Sequence, residues 1–485
     1  MQQLSGLDTT FLNIETPTTY GHVCGLAIFD PSEADHPPTL GDVKKLINDR
    51  IHLLPPYRRR LVEVPFGIDQ PYWIEDPDFD LDFHVRQLAL PSPGDRYQLA
   101  DQVARIVARP LDRSHPMWEL YLIDGLADGL SAQLTKIHHC AIDGVSGAEI
   151  LGNLLDINPS PRVVDPPGRE WRAEAEPSQM EMLMRGMLSV AATPRKRVRL
   201  GLRSIRYLPE LADSIGLGPL PGTERIRSMT RRRSAEMLSE AATKPPRTSF
   251  NGRISAHRKF AYESVDLDRV KAVKDAFGVT VNDVIMAMCA GTLRRYLDSR
   301  DELPDSPLVA MVPVSVRTDE QSGTFGNQVA SMTASLHTNI EDPVERLLAI
   351  HESMRVAKER HKALPADILQ DLAQFTAPAV AARASRVIAR AAVAEIVDLP
   401  FNVVISNIPG PQLPLYGYGA RLVANYPVSA INDGVGLNMT VQSYDGRLDF
   451  GFVACRELVP EIWQLVDHLG QALEALEAAV DADTE

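Results

Sequence analysis

Residues 118–144 read WELYLIDGLADGLSAQLTKIHHCAIDG. Two strand-like runs of aliphatic and aromatic residues flank the turn signal Ala127-Asp128-Gly129, which predicts an antiparallel hairpin. The second strand delivers His138 and His139, and the stretch after it, VSGAEILGNLLDI, has helical spacing with Asp143 placed to cap it. Neighbouring side chains on a strand point to opposite faces, so Thr135, Ile137 and His139 share one side while Leu134, Lys136 and His138 share the other. Only one of the two histidines then faces a given cleft.

That alternation weighs the possible chemistries. A metal would need His138, His139 and Asp143 to converge on one centre, which diverging strand positions oppose, so no metal site is expected. Cys140 as a nucleophile activated by His139 fails for the same reason, and Cys140 reads as a small core residue. Ser146 reads as a capping partner of the following helix. Two readings stay open on these residues alone. One is a single histidine acting as general base while a hydroxyl or amine attacks an activated acyl carbon, with no covalent enzyme intermediate. Gly144 would then let the backbone pass close to the site, and Asp143 would fix the loop. The other is a buried histidine pair satisfied by its neighbours at a strand end.

Further out, helix and strand alternate. YGHVCGLAIFD (20–30) reads as a strand, and 40–53 and 97–108 read as helices. Prolines and charges dominate from 157 to 177 and mark a break. Next come a Met-rich stretch (Met180, Met182, Met184, Met187), a basic run in which six of the twelve residues from Arg195 to Arg206 are Lys or Arg, and Arg225, Arg227 and Arg231-Arg232-Arg233. This segment reads as a partly helical connection with a solvated basic face. From KFAYESVDL the alternation resumes, with helices at 267–277 and 282–297, strands LVAMVPVSV and NQVASMTASL, and a long helix PVERLLAIHESMRVAKER. Arg383, Arg386 and Arg390 share a face of an Ala-rich helical stretch that also reads as solvated. Asp445-Gly446 joins GLNMTVQSY to RLDFGFVA as a second hairpin, with Leu437, Met439 and Val441 on one face and Asn438, Thr440 and Gln442 on the polar face. The expected organisation is α/β, with an N-terminal lobe over 1–170, a connecting segment over 171–250 and a C-terminal lobe over 251–485.

The chain has 485 residues, long enough for two cores, and its 50 Lys and Arg against 64 Asp and Glu give a net charge of −14. General attraction to nucleic acid is not expected from that balance. Cys24, Cys140, Cys289 and Cys455 stand far apart, which argues against a disulfide framework and fits a reducing cytoplasm. Neither a signal peptide nor an 18-residue apolar run is visible, so the expectation is a cytoplasmic protein that does not span the membrane.

HHCAIDG fits the HHxxxDG signature of the CoA-dependent acyltransferase superfamily. Together with Leu4-Ser5-Gly6-Leu7-Asp8, PLDRSHPMWE at 110–119, Asn282-Asp283, SNIPGP at 406–411 and the region 420–461, it makes nearly the whole chain resemble the bacterial wax ester synthase/acyl-CoA:diacylglycerol acyltransferase family, its mycobacterial triacylglycerol synthases in particular. The resemblance implies two chloramphenicol-acetyltransferase-like lobes with an active-site tunnel between them. His139 would be the general base, His138 its neighbour, and Asp143 and Gly144 the rest of the motif. Pro116-Met117-Trp118 stands where the family has Pro-Leu-Trp and is, with Asn282, Asp283 and Asn438, a candidate for substrate binding. Acyl-CoA would serve as co-substrate without a further cofactor, and diacylglycerol or a long-chain alcohol would accept the acyl group. Such substrates imply peripheral work at the inner membrane or a lipid-droplet surface. The competing functions are a non-catalytic lipid-surface or droplet protein and a condensation-type amide synthase.

Overall fold

The computed structural model describes residues 1–142, 150–168, 171–192, 245–315, 329–363 and 400–484. Asp143, Gly144 and Ser146, the basic runs from Arg195 to Arg233, and Arg383, Arg386 and Arg390 lie outside the described residues.

Two six-stranded mixed sheets carry the chain. In spatial order the first is β12 (Tyr416–Gly417), β13 (Ala420–Val428), β2 (His22–Asp30), β7 (Ser131–His138), β6 (Trp118–Asp124) and β5 (Val85–Ala89). The second is β10 (Val329–Ser335), β9 (Val309–Ser315), β11 (Val403–Ile408), β14 (Leu437–Tyr444), β15 (Arg447–Cys455) and β8 (Arg258–Asp266). A small sheet of β1 (Gln2–Gln3), β4 (Tyr72–Glu75) and β3 (Arg59–Val62) flanks the first.

Both expected hairpins are present. β6 and β7 pair antiparallel with Trp118 opposite Ile137, around a turn in which Asp128 and Gly129 take positive φ. At the other hairpin Asp445 and Gly446 take φ 42° and 77°, the handedness that matches strand twist in a two-residue turn. β7 is central and buried along almost its full length, so its exit, where the histidines lie, is fixed by neighbours on both sides: β2 puts His22 opposite His138.

The helices carry their own start signals. Ser5 caps α1 (Gly6–Asn13), Thr39 and Asp42 form a capping box on α2 (Leu40–Arg50), and Asp80 caps the short α3 (Leu81–His84). Asp95 and Gln98 form a second capping box on α4 (Arg96–Val107), whose Leu99, Ala100 and Val103 pack between the lobes against Phe260 and Tyr262 of β8. After α5 (Gln179–Ala192) and α6 (Leu267–Phe277), the second sheet lays Leu437, Met439 and Val441 against α7 (Val281–Asp298), α8 (Pro343–Ala363) and α9 (Ile462–Thr484). No single described helix is long and apolar enough to cross a membrane. The bent pair α6 and α7 passes by length and composition, but Val284 to Ala290 of α7 are core residues of this layer.

One feature departs from the sequence reading. β12 and β13, far inside the stretch 251–485, join the first sheet, because β2 needs a partner on the edge that β7 leaves open. The polar face of the β14 hairpin strand is covered: Asn438, Thr440 and Gln442 are buried beneath β13. There they bond to one another's surroundings. Thr440 donates to Asn438 Oδ1 at 2.7 Å and lies 2.8 Å from Ser429 Oγ, Asn438 Nδ2 donates to the Ala430 carbonyl, and Asn425 Nδ2 donates to Gln442 Oε1. Asp449 completes the layer, accepting from Ser264 Oγ and the Asn425 amide, and burial raises its pKa. The strands approach so closely that a Cβ on Gly451 of β15 would lie 1.8 Å from the Pro427 carbonyl of β13. Only glycine fits there.

Asp156 shows how the first lobe is clamped. Its carboxylate accepts from Arg50 Nη2 at 2.8 and 3.0 Å with both side chains buried, and its backbone pairs with Tyr416 of β12. Asp156→Ala strands a buried guanidinium, so urea unfolding should show a loss of about 3–5 kcal/mol. Asp156→Ala combined with Arg50→Leu should recover part of that loss.

Candidate active site

Strand β7 ends at His138, and the chain turns at His139 and Cys140. His138 is 1% exposed. Its Nδ1 accepts from the Cys140 amide at 3.1 Å, so the ring proton sits on Nε2, which donates to Glu15 Oε1 at 3.2 Å. Both nitrogens of His138 are thereby engaged in holding the turn. His139 is only partly buried; its amide donates to the Gly21 carbonyl at 2.7 Å, and its ring stacks on Phe11 of α1 with centroids 4.0 Å apart and planes 2° from parallel. The two histidines therefore differ in their surroundings, His138 closing the strand and His139 lying in the turn beyond it.

Glu15 was not a sequence candidate, and nothing local marks it: it lies 123 residues from His138 in an ordinary Thr/Pro turn. Burial raises its pKa, but the His138 ring, the Gly21 amide at 2.8 Å and Arg113 outweigh that and hold it at about 2. Arg113 Nη2 reaches Glu15 Oε2 at 2.5 Å and the Leu12 carbonyl at 3.0 Å. Gly21 is required by space, since a Cβ there would meet His138 Nε2 at 2.6 Å. His22, opposite His138, stays neutral: burial, then the Lys136 charge, push its pKa well below the usual range. Lys136 is itself fully buried, donating to the Arg109 carbonyl at 2.6 Å with Glu119 at 3.4 Å.

Of the other sequence candidates, the Pro116-Met117-Trp118 stretch adjoins this centre, through the Met117 carbonyl on the His138 amide. Trp118 is wholly buried, stacked between Tyr57 and His84 with its Nε1 donating to the Tyr57 carbonyl. Met117 packs with Leu4, Leu12, Leu61, Leu111 and Cys140, and its carbonyl accepts from the His138 amide at 2.9 Å. Pro116 is buried beside them. The Pro116-Met117-Trp118 stretch thus braces the histidine strand. Asn282 and Asp283 open α7 in the second lobe: Asp283 closes a capping box with Thr280 and accepts from His351 Nδ1 at 2.7 Å, while Asn282 Oδ1 accepts from Asn407 of the SNIPGP stretch at 3.2 Å. Asn438 lies in the polar layer between β13 and β14. Among the described residues, no group of three or more His, Cys, Asp or Glu side chains is arranged to hold a metal ion.

Two sheets bearing a histidine pair at a central strand exit fit the CoA-dependent acyltransferase fold, and solved structures agree. The first condensation domain of the calcium-dependent antibiotic synthetase superposes with a TM-score of 0.56 over 98% of this chain and 96% of that one, at 15% identity. The wax ester synthase/diacylglycerol acyltransferase of Marinobacter aquaeolei VT8 superposes with a TM-score of 0.70 at 33% identity, covering 99% and 100% of the two chains. The wax ester synthase/diacylglycerol acyltransferase catalytic domain matches residues 4–285, and the C-terminal domain of the same family matches residues 325–477. A probable diacylglycerol O-acyltransferase of Mycobacterium tuberculosis, tgs2, is 37% identical over 98% of both chains, and a putative one from the same species is 38% identical over 98% of this chain and all of the relative. The chain belongs to the wax ester synthase/diacylglycerol acyltransferase family and is by that membership an O-acyltransferase.

Two outcomes follow from the site's electrostatics. Because the Glu15 carboxylate is held at about 2 against an ordinary 4.5, the unfolded chain binds the extra proton first as pH falls. Its contribution to stability is whole above pH 4.5 and lost as pH drops towards 2, so the stability gap between wild type and Glu15→Gln should shrink over that window in denaturant titrations. Cys140 is buried, and burial raises its thiol well above the usual range. Cys140→Ala should keep its activity, and native protein should resist iodoacetamide at Cys140 until unfolded.

Proposed function

We propose that this chain transfers a long-chain acyl group from acyl-CoA to the free hydroxyl of diacylglycerol, releasing triacylglycerol and CoA, with His139 as general base. The observation that carries this reading is the unequal state of the two histidines. His138 has its Nδ1 on the Cys140 amide and its Nε2 on Glu15, whereas His139 is the partly exposed member of the pair. Family membership and the names of the mycobacterial relatives support the substrates.

The chemistry balances without an enzyme-bound acyl group. As the acceptor oxygen attacks the thioester carbonyl, His139 takes the hydroxyl proton; the tetrahedral intermediate then expels the CoA sulfur, which takes that proton back. Proton removal timed with bond formation contributes about 10²–10⁴ in rate. Phe11 stacked on the imidazole and Gly21 on the His139 amide hold the ring for this transfer. Asp143 and Gly144 complete the motif next in sequence, Asn438 and Asn282-Asp283 contribute from the second lobe, and Pro116-Met117-Trp118 shapes the wall behind the histidines. Long-chain alcohols fit the same scheme and would yield wax esters. Both acceptors are poorly soluble, so the enzyme works peripherally, at the inner membrane or a droplet surface.

The test is an assay with radiolabelled long-chain acyl-CoA in which diacylglycerol and hexadecanol compete. Labelled triacylglycerol should dominate, and His139→Ala should abolish ester formation while retaining the wild-type unfolding transition and acyl-CoA binding. Turnover by folded His139→Ala would remove His139 as the base. Lipid binding by wild type with no ester formed would identify a scaffold instead.

A further inference from the structure

The segment from Phe11 to Gly21 touches the histidine pair three times: Phe11 stacks on His139, Glu15 accepts from His138, and the Gly21 carbonyl accepts from the His139 amide. Within the first lobe, Arg113 holds Glu15. A second holdfast comes from the other lobe. Arg258, the first residue of β8, is 7% exposed. Its Nη2 donates to the Thr18 carbonyl at 2.5 Å, and its Nη1 donates to the carbonyls of Ser255 and His257 at 2.6 and 3.2 Å. The guanidinium also lies 5.4 Å from the centroid of the Tyr20 ring.

Thr18 is part of a closed turn. The Thr16 amide donates to the Thr19 carbonyl, the Thr19 amide donates to Thr16 Oγ1, and Tyr20 OH donates to the Pro17 carbonyl. A turn bonded in this way moves as a unit, so a hold on Thr18 is passed to Glu15 on one side and Gly21 on the other.

We propose that Arg258 is a positioning residue for the histidine pair: by fixing the Thr16–Thr19 turn from the second lobe, it keeps Glu15 on His138 and the Gly21 carbonyl on the His139 amide. The inference rests on the reading of His139 as base. A planar guanidinium suits the task, because its fork reaches carbonyls of both lobes at once, whereas an ammonium offers one compact charge. A shift of the turn by even a fraction of an ångström at Thr18 moves the acceptor of the His139 amide.

The test is a double-mutant cycle in the full chain with acyl-CoA and diacylglycerol as substrates. Arg258→Ala and Glu15→Gln should each lower kcat by about tenfold or more, as misplacing a catalytic group does, with KM for acyl-CoA changed less than about twofold. If Arg258 acts through the turn, the double variant falls no further than the more severe single one. Arg258→Lys should recover part of the lost kcat. Wild-type kcat in Arg258→Ala, or losses that multiply in the double variant, overturn the proposal. Should Arg258→Ala fail to fold, Tyr20→Leu, which removes the ring beneath the guanidinium, takes its place in the cycle with the same expectations. His139→Ala assayed in parallel keeps the two ideas apart: turnover there overturns the choice of base, while multiplying losses in the cycle overturn the latch alone.

Discussion

Glu15 joins three parts of the chain through one carboxylate, and the rest of the site takes its shape from that junction. The His138 ring, the Gly21 amide and the Arg113 guanidinium come from strand β7, the entry to β2 and the stretch leading into β6. Burial by itself raises the pKa of this carboxyl, and the donors more than offset that, lowering it to about 2. With Nδ1 of His138 closed by the Cys140 amide, the imidazole has no freedom of tautomer, and the backbone that follows is set. One histidine is thereby made part of the scaffold so that the next can be presented in a defined orientation.

The lobes are held together by an unusually polar seam. Asn425, Asn438, Thr440, Gln442 and Asp449 lie buried between β13, β14 and β15, with Ser429 half-buried beside Thr440, and the bonds among them satisfy groups that would be costly to bury alone. An apolar layer would allow one sheet to slide over the other. Fixed donor and acceptor pairs, with Gly451 against the Pro427 carbonyl, define a single register. Apolar contact takes over to either side, where Leu99 and Val103 of α4 meet Phe260 and Tyr262.

Short-range chemistry made much of this legible. Alternation and the Ala127-Asp128-Gly129 and Asp445-Gly446 turns announce both hairpins, and helical spacing from Asn282 announces α7, whose capping residue, Thr280, is visible only in the structure. A strand's period of two sets His138 and His139 on opposite faces in the sequence reading, whereas β7 ends at His138 and His139 lies in the turn beyond it. What could not be read was everything set by distant partners. Glu15 looks like any turn acid, and Arg258 like any strand-end cation, because their roles depend on residues more than a hundred positions away. Asn438, Thr440 and Gln442 read as the polar face of their strand, but polarity alone does not say whether a second strand covers it. β13 was placed with its sequence neighbours, although its hydrogen bonds go to β2.

The crossing of β13 also sets the order in which the molecule can be completed. β2 (His22–Asp30) is made long before the strand that covers its open edge, which ends at Val428. Until then the nascent first lobe carries an unpaired edge beside the strand that bears the histidines, the kind of edge that invites pairing with other chains. The histidine centre therefore reaches its final surroundings only after β13 has been made and has paired with β2.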